Sequence, residues 1–192
     1  MSSSSHDSKL ELRRKVRETL RGLTDEQRQA AALRARDRLE QQQVWKEAKN
    51  ILFYALLPGE LDIWPLFPDA LVAGKEIFLP RFDPDTKTYL ACCVKQPEKD
   101  LGTGQFGIRE PAAHCPQMAL NRLDFLLVPG VAFDVCGRRL GRGRGYYDQI
   151  LAVVRGKTCG VAFDEQIVAE VPVEPHDITV HCILTPSRWI EP

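Results

Sequence analysis

The sequence predicts a single-domain three-layer α/β sandwich with a mainly parallel sheet, and three observations predict it. Apolar runs of strand length recur at residues 50–57, 76–80, 88–94, 123–128, 158–162 and 180–184. Runs without polar alternation belong to strands covered on both faces, the situation of a parallel sheet between helical layers. Amphipathic helical segments are interspersed with them, and no internal repeat or linker divides the chain. Finally, 192 residues suffice for one well-filled core and are few for two.

The first helix can be capped by Asp7 or Ser8 and run to about Arg21, just before Gly22. Leu12, Val16 and Leu20 form its apolar row at i, i+4, i+8. A second row with the same spacing, Lys9, Arg13 and Arg17, runs beside it. Such a row is either a solvated basic face or a set of cations aimed into a cleft. Thr24-Asp25-Glu26-Gln27 has the form of a capping box and opens a second helix to about Gln42. The strand at 50–57 ends at Pro58-Gly59, which places Glu60 at a carboxyl end, where ligands gather in open α/β sheets. Position alone leaves Glu60 open between a site residue and a cap for a short helix at 64–73. Two strands follow, at 76–80 and 88–94. The glycine-bearing loop 101–111 then either lines a site or connects.

Composition narrows the function. With 44% apolar and 27% charged residues the chain reads as an ordinary soluble protein. Lysine plus arginine and aspartate plus glutamate both number 26, and zero net charge argues against a general nucleic-acid binder. No apolar run approaches the ~20 residues of a membrane span. The start, Met1-Ser2-Ser3-Ser4-Ser5-His6, lacks the apolar stretch of a secretory signal; a disordered tail at 1–7 and one domain at 8–192 are expected. The six cysteines are scattered without a C-x-x-C pair, which suits reduced thiols and a cytoplasmic location. His114-Cys115, His176 and His181-Cys182 lack structural-zinc spacing, so no zinc is expected.

The densest chemistry follows the strand at 123–128. Pro129-Gly130-Val131-Ala132-Phe133-Asp134 leads to Arg139-Leu140-Gly141-Arg142-Gly143-Arg144-Gly145-Tyr146-Tyr147-Asp148, and a helix is expected at 149–154. Strand, glycine-rich turn and helix let backbone N–H groups converge on an anion. Glycine lets the chain approach a ligand closely, and arginine offers a planar fork of donors to phosphate or carboxylate oxygens. The spacing is neither a Walker loop nor the dinucleotide fingerprint; a solvated or RNA-binding Arg-Gly loop is the rival reading. Asp148 and Asp177 are placed where loops can face this turn, and Mg²⁺ serving ATP is commonly held by one or two carboxylates. Spacing alone favours the plainer reading, in which Asp148 caps or pairs locally and Asp177 sits in a turn after Pro175.

Taken together, these residues resemble the signature of the 5-formyltetrahydrofolate cyclo-ligase family, also called methenyltetrahydrofolate synthetases. The resemblance extends to Lys9 with Leu12-Arg13, to Glu60, and to Phe106-Gly107-Ile108-Arg109-Glu110-Pro111. It continues through Phe163-Asp164-Glu165-Gln166, Val171-Pro172 and His176-Asp177. It implies ATP- and Mg²⁺-dependent closure of 5-formyltetrahydrofolate to 5,10-methenyltetrahydrofolate, with release of ADP and phosphate. It further implies that ATP is bound by Lys9, Arg13, Arg139, Leu140, Gly141, Arg142, Gly143, Arg144, Gly145, Tyr146 and Tyr147. The folate would meet Ala55, Glu60, Arg142, Gly143, Arg144, Gly145 and Tyr146; the catalytic groups would be Arg142, Arg144 and Tyr146; Asp148 and Asp177 would hold the metal. Only small-molecule partners are expected, with no nucleic acid and no membrane, and a monomer suffices. Two alternatives stand beside this reading: a paralogue acting on another pterin-like substrate, and a non-catalytic phosphate- or RNA-binding module.

Overall fold

The computed structural model describes residues 2–104, 108–174 and 177–192, with side chains from residue 6 onward. Three helices come first, α1 (Ser2–Arg21), α2 (Asp25–Gln41) and α3 (Gln43–Glu47). Helix α1 thus starts before the Asp7 or Ser8 cap expected from the sequence. The capping box of α2 is formed: Thr24 Oγ1 accepts from the Gln27 N–H while the Gln27 side chain accepts from the Thr24 N–H.

Next come β1 (Asn50–Leu52), α4 (Leu66–Val72), β2 (Glu76–Asp83), β3 (Thr88–Cys93) and the single turn α5 (Pro97–Asp100). The loop at 101–111 is a hairpin, β4 (Leu101–Thr103) with β5 (Arg109–Pro111), followed by β6 (Gln117–Met118). Then follow β7 (Phe125–Pro129), the small ribbon β8 (Ala132–Phe133) with β9 (Arg139–Leu140), and α6 (Tyr146–Leu151). The chain ends with β10 (Lys157–Val161), β11 (Cys182–Leu184) and β12 (Trp189–Ile190).

Eight strands form one sheet in the order β12-β11-β10-β7-β1-β2-β3-β6. The middle five, β11 to β2, are parallel, while β3, β6 and β12 extend the edges antiparallel. Along β7 the side chains divide between the faces: Phe125 and Leu127 join the cluster beneath the first four helices, Leu126 and Val128 the cluster beneath α6. Helices on both faces of one sheet are the three layers expected.

The expected strand at 50–57 shortens to three residues because the chain leaves the ladder after Phe53, whose N–H still reaches Phe78 O. Ala55 to Glu60 are thereby freed to turn over the top of the sheet. Strand β2 runs three residues beyond the expected Pro80, since β3 pairs with it as far as Asp83↔Thr88. Among the described residues no helix is long and apolar enough to cross a membrane.

Candidate functional site

A cavity of about 370 Å³ opens at the carboxyl ends of β1, β2 and β7. Its floor and apolar walls come from Leu57, Pro80, Phe82, Tyr89, Ile108 and Pro129, and its polar rim from Glu60, Glu110, Arg139, Arg142, Arg144 and Asp148. Phe82 and Tyr89 are cross-strand partners of the β2–β3 hairpin, their rings 5.4 Å apart. Tyr146 lies 5.6 Å from Tyr89 and continues the wall. Desolvation is the main cause that pushes the Tyr89 hydroxyl up to about 12, keeping it a neutral hydrogen-bonding group.

Glu60 is set by its turn. Gly59 sits at φ 87°, a conformation that excludes ordinary side chains. The turn brings the Glu60 N–H to Leu57 O at 3.1 Å, and Glu60 Oε2 accepts from the Leu57 N–H at 3.0 Å. From below, the buried Tyr54 hydroxyl donates to Leu61 O and pins the same segment. The Glu60 side chain is only 8% exposed, yet Oε1 takes Arg142 Nη2 at 3.0 Å. Burial raises the Glu60 carboxyl above its ordinary value; the Leu57 N–H and Arg142 pull partly the other way.

The Arg-Gly loop sits between this cavity and α1. Gly143 at φ 97° and Gly145 at φ 70° take the left-handed conformations that let the loop bend back on itself before α6. Arg13 Nε donates to Gly141 O at 2.9 Å, and its guanidinium lies against Gly143. One helical turn earlier, Lys9 Nζ meets Asp177 Oδ2 at 2.7 Å and Glu174 Oε2 at 3.3 Å. Asp177 Oδ2 also accepts from the Glu174 N–H at 2.7 Å. Beneath the loop, Arg139 Nη2 binds Asp148 Oδ1 at 2.5 Å and its guanidinium stacks over the Tyr147 ring. The Arg139 side chain is 4% exposed and, among the described residues, its Nε has no hydrogen-bond partner. A buried guanidinium one bond short is a donor group set for an anion.

The structure therefore brings together most residues singled out from the sequence. Ala55, Glu60, Arg139, Gly141, Arg142, Arg144, Gly145, Tyr146, Tyr147 and Asp148 line the cavity. Lys9, Arg13, Gly143 and Asp177 gather on the α1 side of the loop. Leu140 is buried, so only its backbone can face a ligand. The expected contributions of Phe106, Gly107 and His176 lie outside the described residues. Sequence reasoning missed Phe82, Tyr89 and Glu174. Nothing local marks the two aromatics as site residues; only the antiparallel pairing of β2 with β3 carries them to the cavity.

Asp148 and Asp177 offer a metal oxygen donors only, the set that suits Mg²⁺, and each stands beside a phosphate-competent cation. By donor type each carboxylate suits the ion. In the structure both carboxylates are satisfied by those cations, Asp148 by Arg139 and Asp177 by Lys9.

Comparison with known proteins gives a consistent result. The model of the 5-formyltetrahydrofolate cyclo-ligase family matches residues 5–186. A 5-formyltetrahydrofolate cyclo-ligase of Escherichia coli K12 is 34% identical over 177 residues, covering 90% of this chain and 97% of that protein. The Haemophilus influenzae protein of the same description is 36% identical over 176 residues, covering 89% and 92%. The solution structure of Aquifex aeolicus 5,10-methenyltetrahydrofolate synthetase superposes with a TM-score of 0.86 at 35% identity, covering 95% of this chain and 92% of that one. A Mycoplasma pneumoniae 5,10-methenyltetrahydrofolate synthetase shares the fold, with a TM-score of 0.74 at 19% identity.

Proposed function

Because the chain belongs to the 5-formyltetrahydrofolate cyclo-ligase family and is thus a carbon–nitrogen bond-forming enzyme, we propose that it closes 5-formyltetrahydrofolate to 5,10-methenyltetrahydrofolate at the expense of ATP. One observation carries this reading. Arg13 of α1 grips the Arg-Gly loop, with Lys9 one turn earlier on Asp177 and Glu174, and the same loop borders a cavity that holds a buried carboxylate and an aromatic wall. A polyanion and a flat heterocycle therefore have adjoining berths.

A formyl oxygen on nitrogen is a poor leaving group. Transfer of the γ-phosphoryl group to that oxygen breaks the bond to ADP and forms a carbon–oxygen–phosphorus linkage. The second folate nitrogen then attacks the activated carbon, its proton passes to the phosphate, and the carbon–oxygen bond breaks to release that phosphate. Catalysis of the first step is positioning and charge stabilisation. Arg142 and Arg144 are exposed on the loop and placed to take phosphate oxygens, while Arg13 braces the loop through Gly141. Tyr146 sits where the loop meets the aromatic wall, between the two substrates. Lys9 and Arg139 are the buried cations, each able to turn from a carboxylate to a phosphate. Asp148 and Asp177 would hold Mg²⁺, which when bound spreads the charge of the phosphate oxygens. Glu60 accepts N–H groups from the pterin edge, and Phe82, Tyr89 and Tyr146 cover its faces. No side chain is needed as a general base. The enzyme needs only small-molecule partners in this scheme, and the six free cysteines speak for a reducing cytoplasm.

The test is incubation with ATP, Mg²⁺ and 5-formyltetrahydrofolate, following methenyl product and ADP together. Equal yields of the two, abolished by omitting either ATP or Mg²⁺, are expected. ADP release that is indifferent to the folate would overturn the substrate assignment and favour a paralogue acting on another pterin.

A further inference from the structure

At the opposite end of the β2–β3 hairpin from the cavity, three side chains of different donor type converge. Asp100, His114 and Cys115 place one carboxylate oxygen, one imidazole nitrogen and one thiol sulfur all within 4.8 Å of one another. Among the described residues this is the one such group of His, Cys, Asp or Glu. It lies away from the catalytic cavity: Cys93, which lines the same small recess, is four residues from Tyr89, roughly 13 Å along a strand.

We infer that Asp100, His114 and Cys115 form a zinc-binding site that staples the root of the β4–β5 hairpin. Three features make the cluster more than a chance meeting of polar groups. The first is spacing. Bonds of about 2.0 Å to nitrogen and oxygen and about 2.3 Å to sulfur, at tetrahedral angles, put ligand atoms roughly 3.3–3.6 Å apart. His114 Nε2 and Asp100 Oδ1 are already 3.1 Å apart, and the sulfur lies within 4.8 Å of both donor groups.

The second is orientation by a surrounding shell. Asp100 Oδ2 accepts from the Lys95 and Gln96 N–H groups, both at 2.8 Å, which leaves Oδ1 directed at His114. Cys115 is held by its N–H to Ala112 O at 3.1 Å, with the thiol donating to Asp100 O at 3.5 Å. Ligands fixed in this way lose little freedom when they bind an ion. The third is access. The Cys115 thiol is buried, but the His114 side chain is 63% exposed and can swing aside to admit an ion. Mixed nitrogen, sulfur and oxygen donors select zinc over the magnesium proposed at the catalytic site. Water completes the fourth position.

The placement gives the site a consequence. Asp100 immediately precedes β4 and Cys115 follows β5 by four residues, and the Ala112 N–H already bonds Asp100 O at 2.7 Å across the root. An ion there closes the ends of the excursion that delivers Ile108 and Glu110 to the cavity.

The probe is Co²⁺ alone, added to chelator-treated protein. A thiolate-to-cobalt charge-transfer band and tetrahedral ligand-field bands should saturate at one equivalent and disappear when Zn²⁺ is added. His114→Gln and Cys115→Ser should each weaken binding at least about tenfold. Cys136→Ser, which removes the exposed thiol of the β8–β9 turn, should leave it unchanged. His114→Gln alters an exposed ring and carries the test even if Cys115→Ser fails to fold, as judged by far-ultraviolet circular dichroism. Spectra without a sulfur band, binding that follows Cys136, or affinity unmoved by His114→Gln would each overturn the assignment.

Discussion

The two flanks of the Arg-Gly loop solve opposite electrostatic problems. On the cavity side a carboxylate, Glu60, is buried and its cation, Arg142, stands at the surface with 46% of its side chain exposed. On the α1 side the cation is buried instead, with Lys9 enclosed at 11% exposure between Asp177 and Glu174. A buried charge keeps its reach because no water screens it, whereas an exposed one is easily moved. In the proposed scheme the cavity side accepts hydrogen bonds from a ligand, and the α1 side presents positive charge. Arg142 and Arg13 link the two through a loop that each grips from its own side.

This division predicts that substitutions separate by substrate. Arg142→Ala has the largest expected effect, about 10³-fold in kcat/KM for both ATP and folate, because it removes a phosphate donor and releases Glu60. An effect confined to one substrate would break the comparison at its hinge. Lys9→Ala should cost about 10²-fold in kcat/KM for ATP with the folate KM unchanged, since it leaves Asp177 and Glu174 facing each other without an ammonium group. Steady-state kinetics with each substrate varied in turn reads both.

Glu60→Gln should act on folate alone, by roughly tenfold or more, and at the same time stabilise the protein. The sign follows from linkage. The native carboxyl holds its proton more tightly than the unfolded one, so stability falls as pH rises above the ordinary glutamate value of 4.5 and through the raised native value. The neutral amide escapes that loss, and the resulting gain in Tm at pH 7 should vanish by pH 4. Thermal melts of both proteins across this range check it; a gain independent of pH would mean that the burial of Glu60 is not the cause. Tyr89→Leu is the smallest change, a several-fold rise in folate KM through loss of ring stacking with the apolar wall retained. A rise in the ATP KM instead would place the aromatic wall on the wrong flank.

Legibility differed between the same two flanks. The Arg-Gly loop could be read from the chain because its chemistry is local: alternating glycine and arginine within one turn, two of the glycines at φ values that favour glycine. The row Lys9, Arg13 and Arg17 was visible at i, i+4, i+8, but α1 packing through Val16 and Leu20 decided that Arg13 meets the loop and Lys9 meets Asp177 and Glu174 while Arg17 stays exposed. Phe82, Tyr89 and Glu174 had no local mark, because what makes them site residues is a strand pairing and an ion pair between distant segments. The expectation that His114-Cys115 lacks zinc spacing was a statement about neighbours in the chain; the hairpin returns Asp100 to the same place.

By itself the sequence determined the layers, the parallel centre of the sheet and the glycine turn, since periodicity and backbone permissiveness are properties of short segments. Only the tertiary structure decided which charges are buried, which carboxylate faces which cation, and where the aromatic wall stands. Those depend on the dielectric and the neighbours that packing creates, and distant parts of the chain supply both.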